Sequence, residues 1–127
     1  MKPFVAQEFI EEAKKNSAWK MAFATAKHEQ IVFMCVTPLT SEKNEIGMEV
    51  HPFDQVILIV EGSGKTVLNG KETDFKAGDL IFIPEGTQHN VINQGKELKL
   101  ISFYSATDIP AGAVYKKQSD EKAQGET

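Results

Sequence analysis

A single imidazole follows a tight turn within residues 78–93, and it is the first side chain in the sequence that could do chemistry. Neutral imidazole is the commonest protein ligand for metal ions and a frequent carrier of protons. Pro84 fixes its backbone φ, and Gly86 supplies a backbone conformation that other residues avoid. The segment therefore predicts two short strands joined by a sharp Pro-x-Gly turn, with His89 at the start of the second strand.

The spacing of this stretch is G-x5-P-x-G-x2-H-x3-N, from Gly78 to Asn93. It resembles the second signature of the cupin superfamily at every defined position. The resemblance implies an all-β fold, a single cupin double-stranded β-helix (a jelly-roll barrel), in which His89 would bind a metal ion inside the barrel. A fold does not fix a function, so the function has to be argued from the site.

The first signature of that family is expected upstream, and it is present in altered form. Its usual form is His-x-His, then a glutamate after a short spacer, then six residues and a glycine. Counting back from Gly62 places Gln55 at the glutamate position. Glu49 and His51 then fall at the two histidine positions. The resemblance therefore implies a metal-ligand set of Glu49, His51, Gln55 and His89.

This altered set keeps the formal charge of the usual one, because the carboxylate has moved rather than disappeared. Residues 49, 51, 53 and 55 also share parity, so their side chains can face one side of a strand. Two interpretations stay open. The first is a metal centre that contains the two-histidine, one-carboxylate combination. The second is a barrel without a metal, in which Glu49 and Gln55 hydrogen-bond around two neutral histidines.

Length and composition bound the class of protein. The 127 residues support one domain with a sizeable core. We expect a single barrel domain over 1–115, including an N-terminal helix, and a flexible charged tail over 116–127. The net charge of −4 argues against nucleic-acid and anionic-membrane partners. There is no apolar run long enough to span a membrane and no evident leader, and the single cysteine fits a cytoplasmic location.

Periodicity and turn residues predict the elements that must position the site. The amphipathic pattern over Ala6–Asn16 predicts a short helix packed on the outside of the barrel. Asn69-Gly70 predicts a β-hairpin. Cys35 is expected to be a small buried hydrophobe, and Lys99 to face solvent. Strands are expected at 21–26, 31–36, 56–60, 65–68, 71–75 and 98–104. Apolar residues at outward parity on these strands predict a two-fold homodimer: Val56, Leu58, Val60 and Ile92.

The chain also resembles a subgroup of small bacterial cupins labelled mannose-6-phosphate-isomerase-like. The likeness rests on Lys27–Val32, Glu45–Pro52 and Tyr104–Tyr115. We take that label as the name of a fold, because such short proteins lack the larger architecture of phosphomannose isomerases.

Three functions remain open. The first is an enzyme that isomerises or oxygenates a small polar molecule at a divalent ion of iron, manganese, nickel, zinc or cobalt. The second is a non-catalytic module that binds a metal or metabolite. The third is a structural barrel with a vestigial site. For the enzyme, Tyr104 and His28 are the candidate catalytic residues, although neither is an unambiguous general base.

Overall fold

The structure is a computed structural model that describes residues 2–125. Two antiparallel sheets pack face to face as a jelly-roll barrel, with a helix near each end of the chain. In chain order the elements are α1 (Phe9–Lys15), β1 (Lys20–Thr25), β2 (Gln30–Val36), β3 (Gln55–Glu61), β4 (Ser63–Leu68), β5 (Lys71–Lys76), β6 (Leu80–Ile83), β7 (His89–Asn93), β8 (Leu98–Tyr104), β9 (Val114–Tyr115) and α2 (Gln118–Gly125). The larger sheet has six strands in the order β6-β3-β8-β2-β1-β9, and the smaller has three in the order β5-β4-β7. The predicted all-β jelly-roll barrel with a short N-terminal helix is confirmed.

The core lies between the two sheets and is built from alternate residues of each strand, as the pleat requires. In β3, Ile57 and Ile59 are buried there, whereas Val56 and Leu58 face the other side. That other side is covered in part by α1, whose Phe9 ring lies 5.4 Å from the ring of Phe33. The apolar run in β3 therefore reflects burial on its inner face and packing under α1 on its outer face.

Lys99 differs from its expected exposure. It is buried beneath α1, and its ammonium group donates a hydrogen bond to the carbonyl oxygen of Lys14 near the end of that helix. The last carbonyls of a helix have no partner within it, and a cation near them is favourable. The prediction of a solvent-facing lysine was wrong because strand parity alone does not show that a helix covers the outer face.

Two turns behave as their residues predict. Asn69 and Gly70 both have positive φ values, 49° and 84°, as the hairpin between β4 and β5 requires. Gly86, with a φ of 80°, closes the turn between β6 and β7, and the Thr87 amide donates to the Pro84 carbonyl at 3.1 Å. This second turn delivers His89 to the first position of β7. Cys35 is buried in β2, as expected.

The C-terminal segment, which was expected to be a flexible charged tail, contains a second helix. Within the described residues, Gln118–Gly125 form α2, and Gln118 donates from its side chain to the Ile46 carbonyl at 3.0 Å. The charged composition of this segment gave no sign of the helix, because its attachments to the barrel are polar. The last two residues of the predicted tail lie outside the described part. Over residues 2–125, no helix has the length and apolar character needed to cross a membrane.

Candidate metal centre

The segment that precedes β3 runs along β7 and brings Glu49 beside His89. The Glu49 amide donates to the His89 carbonyl at 2.8 Å, and the His89 amide donates to the Glu49 carbonyl at 2.9 Å. The Ile46 amide adds a further bond to the Val91 carbonyl at 2.9 Å. This irregular edge of the small sheet makes Glu49 and His89 direct neighbours, although they lie far apart in sequence.

His51 completes a contacting group with these two residues. Its Nε2 atom lies 3.2 Å from a carboxylate oxygen of Glu49, and its ring centroid lies 5.2 Å from that of His89. The Gly86 amide donates to the His51 carbonyl at 3.0 Å, so the turn between β6 and β7 docks onto this residue. Exposure alternates from Glu49 to Gln55 as the predicted parity requires, although the regular strand begins only at Gln55.

One ring nitrogen of His89 is hydrogen-bonded to the backbone, and the other is free to bind a metal. Its side chain is buried, and its Nδ1 atom lies 2.9 Å from the Thr87 carbonyl oxygen. Because a carbonyl oxygen can only accept, Nδ1 carries a proton, and in the neutral imidazole Nε2 therefore keeps its lone pair. A backbone carbonyl that fixes the tautomer in this way is the usual outer partner of a metal-binding histidine.

Gln55 carries the clearest anomaly of the site. Its side chain is buried, with only 3% of its surface exposed, and its Nε2 group donates to the Ser102 hydroxyl at 3.2 Å. Among the described residues, its Oε1 atom has no hydrogen-bond donor. A buried acceptor without a partner costs about 1–3 kcal/mol. Native structures retain few such atoms, and each one needs an explanation.

These observations test whether the four predicted ligands suit a metal ion. Over residues 2–125, no three His, Cys, Asp or Glu side chains are placed to share one ion. The amide oxygen of Gln55 is outside that set of residue types, and it is the unpartnered atom. The free lone pair of His89 and the orphaned oxygen of Gln55 are both donor positions that an ion would satisfy. By residue type the four side chains suit a metal with mixed nitrogen and oxygen ligands. Glu49, His51 and His89 would have to turn from their present positions to reach one ion.

Tyr104 adjoins the same group, whereas His28 does not. The Tyr104 ring lies 6.0 Å from the ring of His51, and its residue pairs with Gln55 across β3 and β8. Burial raises the pKa of Tyr104 to about 12, against the opposing charge of Lys20. His28 is exposed in the turn between β1 and β2, outside the group formed by Glu49, His51 and His89.

Glu49 is partly buried yet ionised. Burial pushes its pKa upward, but the hydrogen bond from His51 and the charge of Lys20 outweigh that effect and hold its pKa below the usual range. Burial by itself lowers the pKa of Lys20, but neighbouring groups outweigh this effect. The surrounding Tyr104 and Glu121 raise the pKa of Lys20 above its ordinary value. The site therefore holds a fixed carboxylate and a fixed ammonium near each other.

A cavity of about 400 Å³ opens beside Glu49, and sequence reasoning missed most of its polar lining. It is lined by Trp19, Lys20, Asp108 and Glu121 among others. Burial raises the pKa of Asp108, with the positive charge of Lys20 opposing the shift. No signal in the sequence separates these charged residues from ordinary surface ones, because they meet only through tertiary contacts.

The loop that carries Asp108 is held by one buried side chain of β2. Gln30 accepts hydrogen bonds from the amides of Asp108 and Ile109 at 3.0 and 3.1 Å. Its own amide group donates to the Ile109 carbonyl at 2.8 Å and to the Thr25 hydroxyl at 2.9 Å. All four bonds are made by a residue with no exposed surface. Gln30 therefore positions one wall of the cavity.

Comparison with known proteins adds a family and a fold. The Cupin domain family matches residues 38–104. An uncharacterised protein of Bacillus subtilis, YrkC, is 36% identical over 131 aligned residues, which cover 96% of this chain and 67% of that protein. The crystal structure of protein BH2720 from Bacillus halodurans superposes on this chain with a TM-score of 0.88 at 32% sequence identity. The alignment covers 96% of this chain and 95% of that one.

A Thermotoga maritima protein described as a predicted oxalate decarboxylase superposes with a TM-score of 0.54 at 25% sequence identity. The alignment covers 61% of this chain and 65% of that one. This chain spans about two thirds of the length of the curated relatives it matches.

Proposed function

The chain belongs to the cupin family, and we propose that it binds one divalent transition-metal ion and acts as an enzyme on a small polar metabolite. The ligands would be Glu49, His51, Gln55 and His89. The observation that carries this proposal is the Oε1 atom of Gln55, which is buried without a donor among the described residues. A cation would satisfy this oxygen, whereas the alternative of a hydrogen-bonded barrel leaves it orphaned.

The ligand types limit the ion and its chemistry. Two imidazoles, one carboxylate and one amide oxygen suit iron, manganese, nickel, zinc or cobalt, and the ligands alone do not select among them. Bound there, such an ion would supply Lewis-acid polarisation of a substrate oxygen, or oxygen activation if it is redox-active. Isomerase-type and dioxygenase-type reactions both fall within this range.

The surrounding residues would bind the substrate and move its protons. Tyr104 keeps its phenol proton at neutral pH, because its pKa is raised to about 12, and it can donate a hydrogen bond. Asp108, whose pKa is raised by burial, lines the adjoining cavity and is the candidate to accept or return a proton. The similarity to the Thermotoga protein described as a predicted oxalate decarboxylase supports an enzyme over a structural barrel. It does not name the reaction.

A non-catalytic binding module is the second candidate, and one observation favours it. The pKa of Glu49 is lowered and that of Tyr104 is raised, so both groups move away from neutrality. Groups that exchange protons during turnover are usually tuned toward the working pH. Turnover of sugars, keto acids or catechol-like compounds by the metal-loaded protein would favour the enzyme. Metal binding without turnover would favour the module.

Metal content of protein purified without a chelator or a histidine tag tests the site itself. Wild type is expected to hold close to one ion per chain, and His89→Ala to lose most of it. Gln55→Glu should retain the metal and bind it more tightly, because a carboxylate replaces a neutral amide. Metal uptake by this variant should depend more steeply on pH, since two adjacent carboxylates share a proton when the metal is absent.

Two matched variants control this measurement. His28→Ala removes an exposed imidazole outside the group, and Gln94→Glu adds a carboxylate at an exposed position. Both should bind metal as wild type does. Metal content near zero in wild type, His89→Ala and Gln55→Glu alike would reject the metal centre. Circular dichroism of each variant, expected to stay dominated by strand, separates loss of metal from loss of fold.

A further inference from the structure

The carboxylate of Glu121 is held by two buried donors at the edge of the cavity. Its Oε1 atom accepts a hydrogen bond from the indole Nε1 of Trp19 at 3.0 Å. Its Oε2 atom lies 2.8 Å from the Nζ of Lys20. Each oxygen thus meets a separate donor, one neutral and one charged, which is how proteins bind a carboxylate group with defined orientation.

The two donors belong to the rigid barrel. Trp19 has 1% of its surface exposed and Lys20 has 4%. Lys20 begins β1, and Trp19 directly precedes it. Lys20 also lies 3.8 Å from a carboxylate oxygen of Asp108. A buried ammonium group is tolerated only when negative partners surround it. The barrel therefore directs the Lys20 ammonium and the Trp19 indole N–H toward one position. A carboxylate at this position satisfies both donors.

The carboxylate that fills this place comes from a weakly attached element. Glu121 lies on α2, a helix of eight residues, and isolated helices of that length are marginal in water. Among the described residues, besides Glu121, α2 is tied to the barrel by hydrogen bonds only through its first residue. The Gln118 side chain donates to the Ile46 carbonyl and accepts from the Ser41 hydroxyl at 2.9 Å, and the Gln118 amide donates to the Thr40 carbonyl at 2.8 Å. The Glu121 side chain is 27% exposed, whereas that of Lys20 is 5% exposed. Displacing Glu121 would cost less than moving either donor.

The cavity next to this pair has room for a ligand. Its volume of about 400 Å³ falls within the range of about 300–1,000 Å³ typical of small-molecule sites. Lys20, Glu121 and Glu49 all line it, so the carboxylate position and one of the proposed metal ligands face the same space. A ligand carboxylate in the place of Glu121 would leave the charge around Lys20 unchanged, because one anion replaces another.

We propose that Trp19 and Lys20 form the binding site for the carboxylate group of a small organic acid, and that Glu121 occupies this site as an internal substitute until the ligand displaces it. The site names the substrate class for the proposed metal centre, and to that extent it rests on the proposed function. Binding itself needs only the two donors and no metal. Neutral sugars and catechols lack the charged group that would compete with Glu121.

Acetate binding to the metal-free protein tests this site, with the fluorescence of Trp19, the single tryptophan, as the readout. The protein is stripped with a chelator and dialysed, and ionic strength is held constant with potassium chloride. Acetate should bind Glu121→Ala at least about tenfold more tightly than wild type, because only the fraction of wild type with Glu121 displaced is free to bind. Acetamide, which has nearly the same shape without the charge, should leave the fluorescence of both proteins unchanged.

Two further variants separate this site from a general charge effect. Glu85→Ala removes the same charge at an exposed position and should bind acetate as wild type does. Adding Lys20→Met to Glu121→Ala should abolish acetate binding, and the acetamide comparison decides the matter even if this double variant does not fold. Equal acetate affinity in wild type and Glu121→Ala, or equal responses to acetate and acetamide, would overturn the proposal. Metal content of Glu121→Ala, measured separately, should match wild type, so a failed metal centre and a failed carboxylate site give different results.

Discussion

Replacing Gln55 by methionine is expected to make the metal-free protein more stable. Methionine has a similar length, no polar atom and the flexibility to fill the same space. The change removes an unpartnered buried oxygen, worth about 1–3 kcal/mol, and loses the bond to the Ser102 hydroxyl, worth about 0.5–1.5 kcal/mol. The net gain in the free energy of unfolding is about 1 kcal/mol.

Urea unfolding followed by circular dichroism measures this gain. With a urea dependence of about 1–3 kcal/mol per molar, the midpoint of the Gln55→Met variant should rise by about 0.3–1 M in chelator-treated protein. The order should reverse when metal is added. A ligand at a hundred times its dissociation constant adds about 2.7 kcal/mol to wild type, and the variant should gain less.

The exposed Gln94 supplies the control for this experiment, because Gln94→Met should shift the midpoint little, with or without metal. A loss of more than about 1 kcal/mol in metal-free Gln55→Met would refute the reasoning. It would mean that the Gln55 oxygen has a partner, such as an ordered water. Burying this oxygen would then not destabilise the metal-free protein. Equal responses of wild type and Gln55→Met to added metal would separately remove Gln55 from the ligand set.

Two other predictions follow from the same structure. Because the pKa of Glu49 is lowered on folding, its contribution to stability should be complete above its ordinary pKa of 4.5 and lost as the pH falls through the lowered value. Urea midpoints between pH 7 and 3 should show this loss in wild type but not in Glu49→Gln, and equal pH dependence would contradict it. Val60, one of the residues from which the two-fold homodimer was predicted, is buried in a cluster with Ala13 of α1. Leu80 and Phe82 are 60% and 62% exposed on the edge strand β6, and we propose them as the dimer contact instead. Phe82→Glu should then sediment as a monomer at micromolar concentration, whereas a monomeric wild type would refute the dimer.

The sequence was informative where short-range rules apply. The Pro84-x-Gly86 turn and the hairpin at Asn69-Gly70 follow from backbone preferences of two or three residues, and both are present. The spacing around His51 and His89 identified two side chains that the fold does bring together. Such features depend on local geometry and on a fixed register between strands, which is why they could be read without the structure.

The carboxylate pocket could not be read in the same way. Lys20 and Glu121 are about a hundred positions apart, and each has the residue type of an ordinary surface charge. Parity places Lys99 outward, and only the packing of α1 shows that this position is covered. The charged composition of the last residues gave no sign of α2 or of polar attachments such as that of Gln118. These features share one property, which is that polar tertiary contacts leave no periodic pattern in the sequence.

The anchoring of the Asp108 loop by Gln30 has a consequence for how this protein could diversify. Apart from its bond to Thr25, the Gln30 side chain hydrogen-bonds only to main-chain groups of the loop, and these are the same whatever side chains the loop carries. A substitution at Asp108 would therefore change the chemistry of the cavity wall while the wall stays where it is. The side chains of this loop could therefore change during evolution while its backbone stays anchored. New ligand preferences could arise there without disturbing the strands beneath it.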